Sequence, residues 1–223
     1  LEAMKSCSLT GVNALLEVCG ISNGDVTSED IGYLLGPKIN AAGRLGDSKI
    51  VVDLLTTTDP QLAHRLSKKL LNLNEKRREI TEEGVELALN NVNKDLLLRH
   101  KSLVIAADIH KGVAGIVASK LVDRFQVPVI IIEKQSILDE KAIITGSVRS
   151  IEGINIIEIL NECSDVLEKY GGHDAAAGVS LESQNLEKFE KIFKDQILKA
   201  SAQQVKSRPA LKYDLECSVD EVM

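Results

Sequence analysis

The stretch Ser102-Leu103-Val104-Ile105-Ala106-Ala107-Asp108-Ile109-His110-Lys111-Gly112-Val113-Ala114-Gly115-Ile116-Val117-Ala118-Ser119-Lys120-Leu121 decides the fold class. Its first six residues form a short apolar run of strand length, and from Val113 to Leu121 the pattern is that of an amphipathic helix. The spacing therefore predicts a buried strand, a polar turn and a helix. The same alternation continues downstream. Pro128–Ile132 reads as a second buried strand entered through a proline at its first position, and Ala142–Ser150 as a third whose end carries polar groups. A helix over 154–170, a strand over 177–181 and a helix over 186–200 complete the unit. Strands alternating with helices of this length predict an α/β domain, a mixed sheet flanked by helices.

Upstream the pattern is helical. Leu15, Leu16 and Val18 with a stop at Gly20 read as the end of a helical hairpin, and the chain opens on Leu1 as if at the edge of a truncated domain. Thr27 and Ser28 are N-cap candidates for a helix through Asp30–Leu35, which Gly36-Pro37 should end or redirect. Lys38–Leu45 is rich in small residues and reads as a close-packed turn presenting Asn40 and Arg44. Asp59-Pro60 then opens a helix of about 35 residues, capped by Asp59 with proline at its first position. Leu66, Leu73, Ile80 and Leu87 recur every seven residues along it, widened by Leu62 and Leu70, so it should pack along another element or bridge two lobes.

The 223 residues, 44% of them hydrophobic, can bury a sizeable core. No apolar run is long enough to span a bilayer and no secretory signal opens the chain, so a cytoplasmic protein without membrane contact is expected. Cys7, Cys19, Cys163 and Cys217 form no CxxC pair, which argues against structural zinc and for reduced thiols. The net charge of −6 is uneven: residues 61–101 hold nine Lys/Arg against six Asp/Glu. That segment is either a solvated helix face or a local basic surface within an acidic whole.

Three stretches could bind an anion. Ligands of open α/β sheets lie beyond the carboxyl ends of strands, and Asp108-Ile109-His110-Lys111-Gly112 joins such an end to a helix N-terminus. There His110 can donate to an anion or cap its own helix. Asp108 and His110, two apart, are too few to close a metal site. In Gly146-Ser147-Val148-Arg149-Ser150, Arg149 can fork two donors onto phosphate oxygens while Ser147 or Ser150 adds a hydroxyl; it could equally pair with Glu152 or Glu158. In Tyr170-Gly171-Gly172-His173-Asp174-Ala175-Ala176-Ala177-Gly178, the glycines let backbone approach a phosphate and His173 can donate. The plain alternative is that Gly171 caps a helix ending at Tyr170. His64 and His100 read as exposed bystanders. No GxSxG, Walker P-loop, GxGxxG or clustered Asp/His ligand set occurs.

With Gly36–Leu45 placed before them, these motifs occur in the order Gly-Pro-Lys-Ile-Asn-Ala-Ala-Gly-Arg-Leu, His110–Ser119, Gly146–Ser150 and Gly171–Gly178. Together they resemble the RecJ family, single-strand-specific 5′→3′ DNA exonucleases of the DHH phosphoesterase superfamily. The resemblance implies a C-terminal helical remnant of a DHH domain over 1–58, a connecting helix over 59–100 and a DHH-associated substrate-binding domain over 101–204. Residues 205–223 would be a tail or the start of a following domain. The parent enzyme would act in DNA repair and recombination with Mn or Mg held by the DHH domain. The Asp-His-His motif is not in this sequence, so the resemblance implies no metal ligands in this chain, no cofactor of its own and no hydrolysis by it alone.

Carried over residue by residue, the family pattern implies that Arg44, Ser147 and Arg149 hold the 5′-terminal phosphate of a single DNA strand. The Gly171-Gly172-His173 loop would face the scissile linkage, with His173 stabilising charge on the reacting phosphate. Asn40, His110 and Ser150 join the candidate contacts. The family commonly has glycine where this chain has Val148. Two alternatives share the motifs: a phosphodiesterase of short oligoribonucleotides or cyclic dinucleotides, and a nuclease-dead scaffold. The Asn-Ala-Ala-Gly-Arg stretch and the long helix favour RecJ over the former, and Arg44, Arg149 and His173 argue against the latter. With three phenylalanines, three tyrosines and no tryptophan, stacking along a long strand must come mainly from elsewhere.

Overall fold

The computed structural model describes residues 1–2, 8–133 and 142–203. Helix α1 (Thr10–Val18), a π-helical stretch (Asp30–Leu35) running into α2 (Gly36–Leu45), α3 (Lys49–Thr56) and the long α4 (Pro60–Asn90) form the first half. A short α5 (Lys94–His100) leads to β1 (Leu103–Ala107), α6 (Lys111–Phe125), β2 (Val129–Glu133) and β3 (Ile143–Arg149). Then follow α7 (Ile156–Asn161), β4 (Lys169–Gly172), β5 (Ala176–Glu182) and α8 (Leu186–Gln203). The polar loop after β2 and the tail over 205–223 fall outside the described residues, apart from Glu133 at the loop's start.

The predicted mixed sheet is present, in the order β1-β2-β3-β5-β4. Only β1 and β2, joined by the α6 crossover, are parallel; β3, β5 and β4 pair antiparallel in turn. Alternation along each strand separates two faces. On one, Ile130, Ile132, Ile144, Val148, Val179 and Leu181 pack against α7 and α8, where Phe189 and Phe193 are fully buried with ring centroids 5.9 Å apart. On the other, Leu103, Ile105, Val129 and Ile131 pack against Val113, Val117 and Leu121 of α6. Val148 therefore points into the sheet's α7/α8 core, fully buried, and not toward a ligand on the opposite face.

A third core joins α1, α2 and α3 to the first half of α4, around Leu15, Leu16, Leu35, Leu54 and Leu70. The second half of α4 lies on α6, so this helix ties the helical lobe to the sheet. Its start is as read: Gln61 N–H donates to the Asp59 carboxylate at 2.9 Å, with Pro60 in the first turn. Gly20, at φ 74°, terminates α1 as expected. Thr27 and Asp30 cap each other, Asp30 N–H donating to the Thr27 hydroxyl at 3.1 Å and Thr27 N–H to the Asp30 carboxylate at 2.9 Å.

Several local expectations are corrected. Gly36-Pro37 does not end its helix, and Lys38–Leu45 is helical and not a turn. A proline inside an α-helix clashes with the carbonyl four residues back; here the preceding turn is widened, Gly36 N–H donating to the Ile31 carbonyl five residues back. The long helix stops at Asn90, and a separate α5 covers 94–100. Its buried seam is Ala63, Ser67, Leu70, Asn74, Thr81, Gly84 and Ala88, one position round from the leucine stripe, and Leu87 is 43% exposed. Small residues in the seam let α1, α2 and α6 approach closely. The helix expected over 154–170 ends at Asn161. Cys163, Val166 and Leu167 continue its apolar spacing, but they pack into the same core from a 3₁₀ turn, and Lys169–Gly172 pairs with β5. Two glycines in succession disfavour helix, and the ladder offers them partners. His64 and His100 are half-buried and not fully exposed.

Candidate nucleic-acid interface

Strand register assembles the site. Ser147 lies opposite Gly178, which lies opposite Gly171, so the three form one row across β3, β5 and β4. The next row runs from Arg149 to Ala176 to His173, the last two exchanging backbone hydrogen bonds of 2.7 and 3.3 Å where the hairpin turns. Both rows share the face of Val129 and Ile131, on which α6 packs against β2 and β3 and leaves β5 and β4 uncovered. Beyond α6 that face is open. A groove of about 390 Å³ follows it, walled by Lys111 and Ala114 of α6, Ser147 and Thr145 of β3, and Lys169 and Tyr170 of β4.

The floor of this groove is glycine, and the fold does not ask for it. A Cβ placed on Gly171 would meet no atom within 4 Å, and one on Gly178 only the Gly146 carbonyl at 4.0 Å. Neither has a positive φ. The missing side chains leave bare backbone facing the groove. Gly172 differs: its φ is 151°, and a Cβ would lie 2.2 Å from the Ala176 carbonyl oxygen, so the hairpin itself requires glycine there. The Gly-Gly-His run is thus the end of a strand and the start of a tight turn, which removes the helix-cap alternative. His173 and Asp174 are exposed at its tip.

Two arginines stand beside the groove without lining it. Arg44, at the last turn of α2, donates from its guanidinium to the Gly112 carbonyl at 3.0 Å. Arg149, at the end of β3, lies over Gly115 of α6, where a Cβ would sit 2.6 Å from its terminal nitrogen; it also donates to the Val148 carbonyl at 2.7 Å. Burial, and then the charge of Arg44, pushes the Arg149 guanidinium below the usual arginine range. Among the described residues neither arginine is held in an ion pair, so the expected alternative of Arg149 with Glu152 or Glu158 is not formed. The charge of Arg44 is felt at Arg149, and Glu133 is the carboxylate that lines the groove beside them.

The other candidates divide. Asn40 is exposed one turn before Arg44 on the same face of α2. His110 caps α6, its Nδ1 accepting from Gly112 N–H at 3.1 Å, which puts the ring proton on Nε2 as a free donor. It lines a neighbouring pocket with Glu83, Asp108 and Glu133, next to Lys111, which is shared with the groove. Ser150 is placed elsewhere: its hydroxyl donates to the Ile154 carbonyl at 2.7 Å and its N–H to the Ala175 carbonyl at 2.9 Å, bracing the hairpin from outside the groove. Lys111, Lys169 and Tyr170 were not among the candidates. Lys169 and Tyr170 could have been found by reading 169–172 as a strand.

Residues 100–199 match the DHHA1 domain. Over its whole length the chain is 33% identical to the single-stranded-DNA-specific exonuclease RecJ of Bacillus subtilis, and over 85% of it 35% identical to RecJ of Haemophilus influenzae. The chain carries a DHHA1 domain and is a RecJ homologue. It spans 28% and 33% of those two relatives. Crystal structures of Thermus thermophilus RecJ, in complex with Mg²⁺ and with Mn²⁺, superimpose on 89% of the chain with a TM-score of 0.77 at 28% identity. They confirm the mixed sheet flanked by helices, and the groove, its glycine floor and Arg149 belong to the DHHA1 domain. Arg44 reaches the start of α6 from the preceding helical lobe. Among the described residues no three His, Cys, Asp or Glu side chains could hold a metal ion, so the metals of the RecJ structures find no fitting site in them. No helix among them is long and apolar enough to cross a membrane.

Proposed function

We propose that this chain is the part of a 5′→3′ single-stranded-DNA exonuclease that holds the 5′-phosphate end of the strand. The observation that carries this is the glycine floor: Gly171 and Gly178 leave backbone open where the fold has room for side chains, directly beside Ser147. A terminal phosphate beside the groove would receive forked donors from Arg149 and a further donor from Arg44, neither of which is held in an ion pair among the described residues. Its negative charge would relieve their mutual repulsion. His173 lies two strands from Arg149 in the same row, about 10 Å away at normal strand spacing. Held at Arg149, a strand would pass over the glycine floor and bring its first linkage toward His173, whose ring can donate to a phosphate oxygen.

Gripping the terminal phosphate fixes the distance to the first linkage, which is how an exonuclease counts from an end. The hydrolytic step, its Mg²⁺ or Mn²⁺ ions and a role in DNA repair and recombination belong to the parent enzyme in this proposal, which is cytoplasmic. The test is binding of the chain to a short oligodeoxynucleotide bearing a 5′-phosphate or a 5′-hydroxyl. Preference for the phosphate, lost in Arg149→Gln, supports the assignment; equal affinity for both ends overturns it.

A further inference from the structure

Lys111 stands between two adjoining cavities. It lines the groove with Ala114, Ser147 and Glu133, and a neighbouring cavity of about 350 Å³ with Glu83, Asp108 and, again, Glu133. Lys111 is exposed, and among the described residues no ion pair holds its ammonium or the Glu133 carboxylate. Nothing in the strand path proposed above accounts for a free amine and a free carboxylate sharing both cavities.

The place of Lys111 on α6 sets it beside the proposed phosphate site. Lys111 and Gly115 are one turn apart on the same face of the helix, about 6 Å along its axis. The Arg149 guanidinium lies over Gly115, and Ser147, two residues before Arg149, shares its side of β3. The four-carbon stem of Lys111 spans the separation from an anion held there. Lys169, on the opposite wall of the groove, belongs to the row of Ser180 and Thr145, two rows from Arg149 on this face. Lys111 is thus the groove lysine on the helix over which Arg149 lies.

We infer that Lys111 is a modification site for acyl phosphates, the mixed anhydrides of a carboxylic acid and phosphoric acid. This site rests on the phosphate position proposed above and adds a means of regulating it. The phosphate of the anhydride sits between Arg149 and Ser147, which turns the acyl carbon toward Nζ of Lys111. Glu133 takes one proton from the ammonium, and the freed electron pair of the amine attacks the acyl carbon. The C–N bond forms, and the bond from that carbon to the bridging oxygen breaks, its electron pair leaving with the phosphate. The departing phosphate takes the second proton from nitrogen and becomes hydrogen phosphate, while Glu133 returns its proton to water. Nothing is oxidised or reduced. The product is a neutral amide on the groove wall, with one cation fewer and the bulk of an acyl group added, so a strand is held less tightly.

The test treats the chain with acetyl phosphate and follows acetylation of each lysine by mass spectrometry, beside a parallel series with the N-hydroxysuccinimide ester of acetic acid, which carries no phosphate. With acetyl phosphate, Lys111 should react about tenfold or more faster than Lys169 and than Lys188 and Lys191, which are exposed on α8 across the sheet; with the ester that advantage should vanish. Excess inorganic phosphate should slow Lys111 and leave Lys188 unchanged. Arg149→Gln should bring Lys111 down to the rate of Lys188, and Glu133→Gln should slow it with the protection by phosphate intact. Chain acetylated at Lys111, and Lys111→Gln, should bind a 5′-phosphorylated trinucleotide about threefold or more weakly. Lys111 no faster than Lys188, or equally favoured by both reagents, overturns the inference, as does an advantage that survives excess phosphate or Arg149→Gln. A chain that prefers a 5′-phosphate over a 5′-hydroxyl while Lys111 shows no advantage overturns this site alone. Phosphate-guided acetylation with equal affinity for both ends supports this site while removing the end-phosphate assignment.

Discussion

The Arg44 guanidinium donates to the Gly112 carbonyl at 3.0 Å, while the Arg44 carbonyl oxygen lies 2.1 Å from where a Cβ on Gly112 would be. Two segments 68 residues apart thus meet backbone to backbone, and the helical lobe delivers its arginine to the start of α6. No side chain can be added at residue 112 without moving the backbone of Arg44. Arg44 reaches the start of α6 only because residue 112 has no side chain.

Gly112→Ala should therefore cost about 2–4 kcal/mol, since the added methyl meets rigid backbone and not a flexible side-chain end. The loss will register as a lower midpoint in urea unfolding followed by circular dichroism. A variant as stable as the parent would mean that the contact between α2 and α6 is looser than described.

Gly171→Ala and Gly172→Ala, neighbours in one strand, should separate binding from stability. The first adds a methyl to open groove and should change stability by less than about 0.5 kcal/mol while weakening oligonucleotide binding. The second forces a side chain onto a φ of 151° against the Ala176 carbonyl and should destabilise the hairpin by about 2 kcal/mol or more. Paired thermal melts and binding isotherms on both variants test this.

Gly115→Ala places a methyl 2.6 Å from the end of the Arg149 side chain, which can swing away. The fold should survive, and the preference for a 5′-phosphate should fall nearly as far as in Arg149→Gln. Binding equal to the parent would show that Arg149 does not act from its place over α6.

Burial, with a smaller contribution from Glu162, pushes the fully buried Cys163 thiol up from 9.0 to about 12. The folded pKa is raised, so this stabilisation is whole below pH 9 and is lost as pH rises toward about 12, where the unfolded thiol ionises and the folded one does not. Unfolding free energies at pH 8 and pH 10.5 should show a decline in the parent that is smaller in Cys163→Ala. Mass-spectrometric mapping after treatment with a thiol reagent at pH 8 should find Cys163 unlabelled in the folded chain.

Much of this was legible in the sequence because local chemistry and tertiary structure agree. The strand at Leu103–Ala107, the proline-entered β2, the Asp59 cap and the Thr27 cap rest on signals a few residues long. Gly36-Pro37 misled because a π turn can absorb a proline that an α turn cannot, and nothing in the composition distinguishes the two. The segment over 162–170 misled because Cys163, Val166 and Leu167 keep helical spacing while packing from a turn. Among candidate residues, Ser147, Arg149, Gly171 and His173 share two neighbouring rows of one sheet face and Arg44 meets the start of α6, whereas Ser150 braces the hairpin. The row that joins Ser147 to Gly178 and Gly171 depends on strand order β3-β5-β4, a relation between distant segments that no local pattern states.

The central claim is that a strand's terminal phosphate sits between Arg149 and Ser147 above the glycine floor. A crystal structure of the chain with a 5′-phosphorylated trinucleotide tests it most directly. The account predicts the 5′-phosphate within hydrogen-bond distance of the Arg149 guanidinium and the Ser147 hydroxyl, with the next linkage toward His173. A 5′-phosphate bound outside the groove, or a trinucleotide in the opposite polarity, would contradict it.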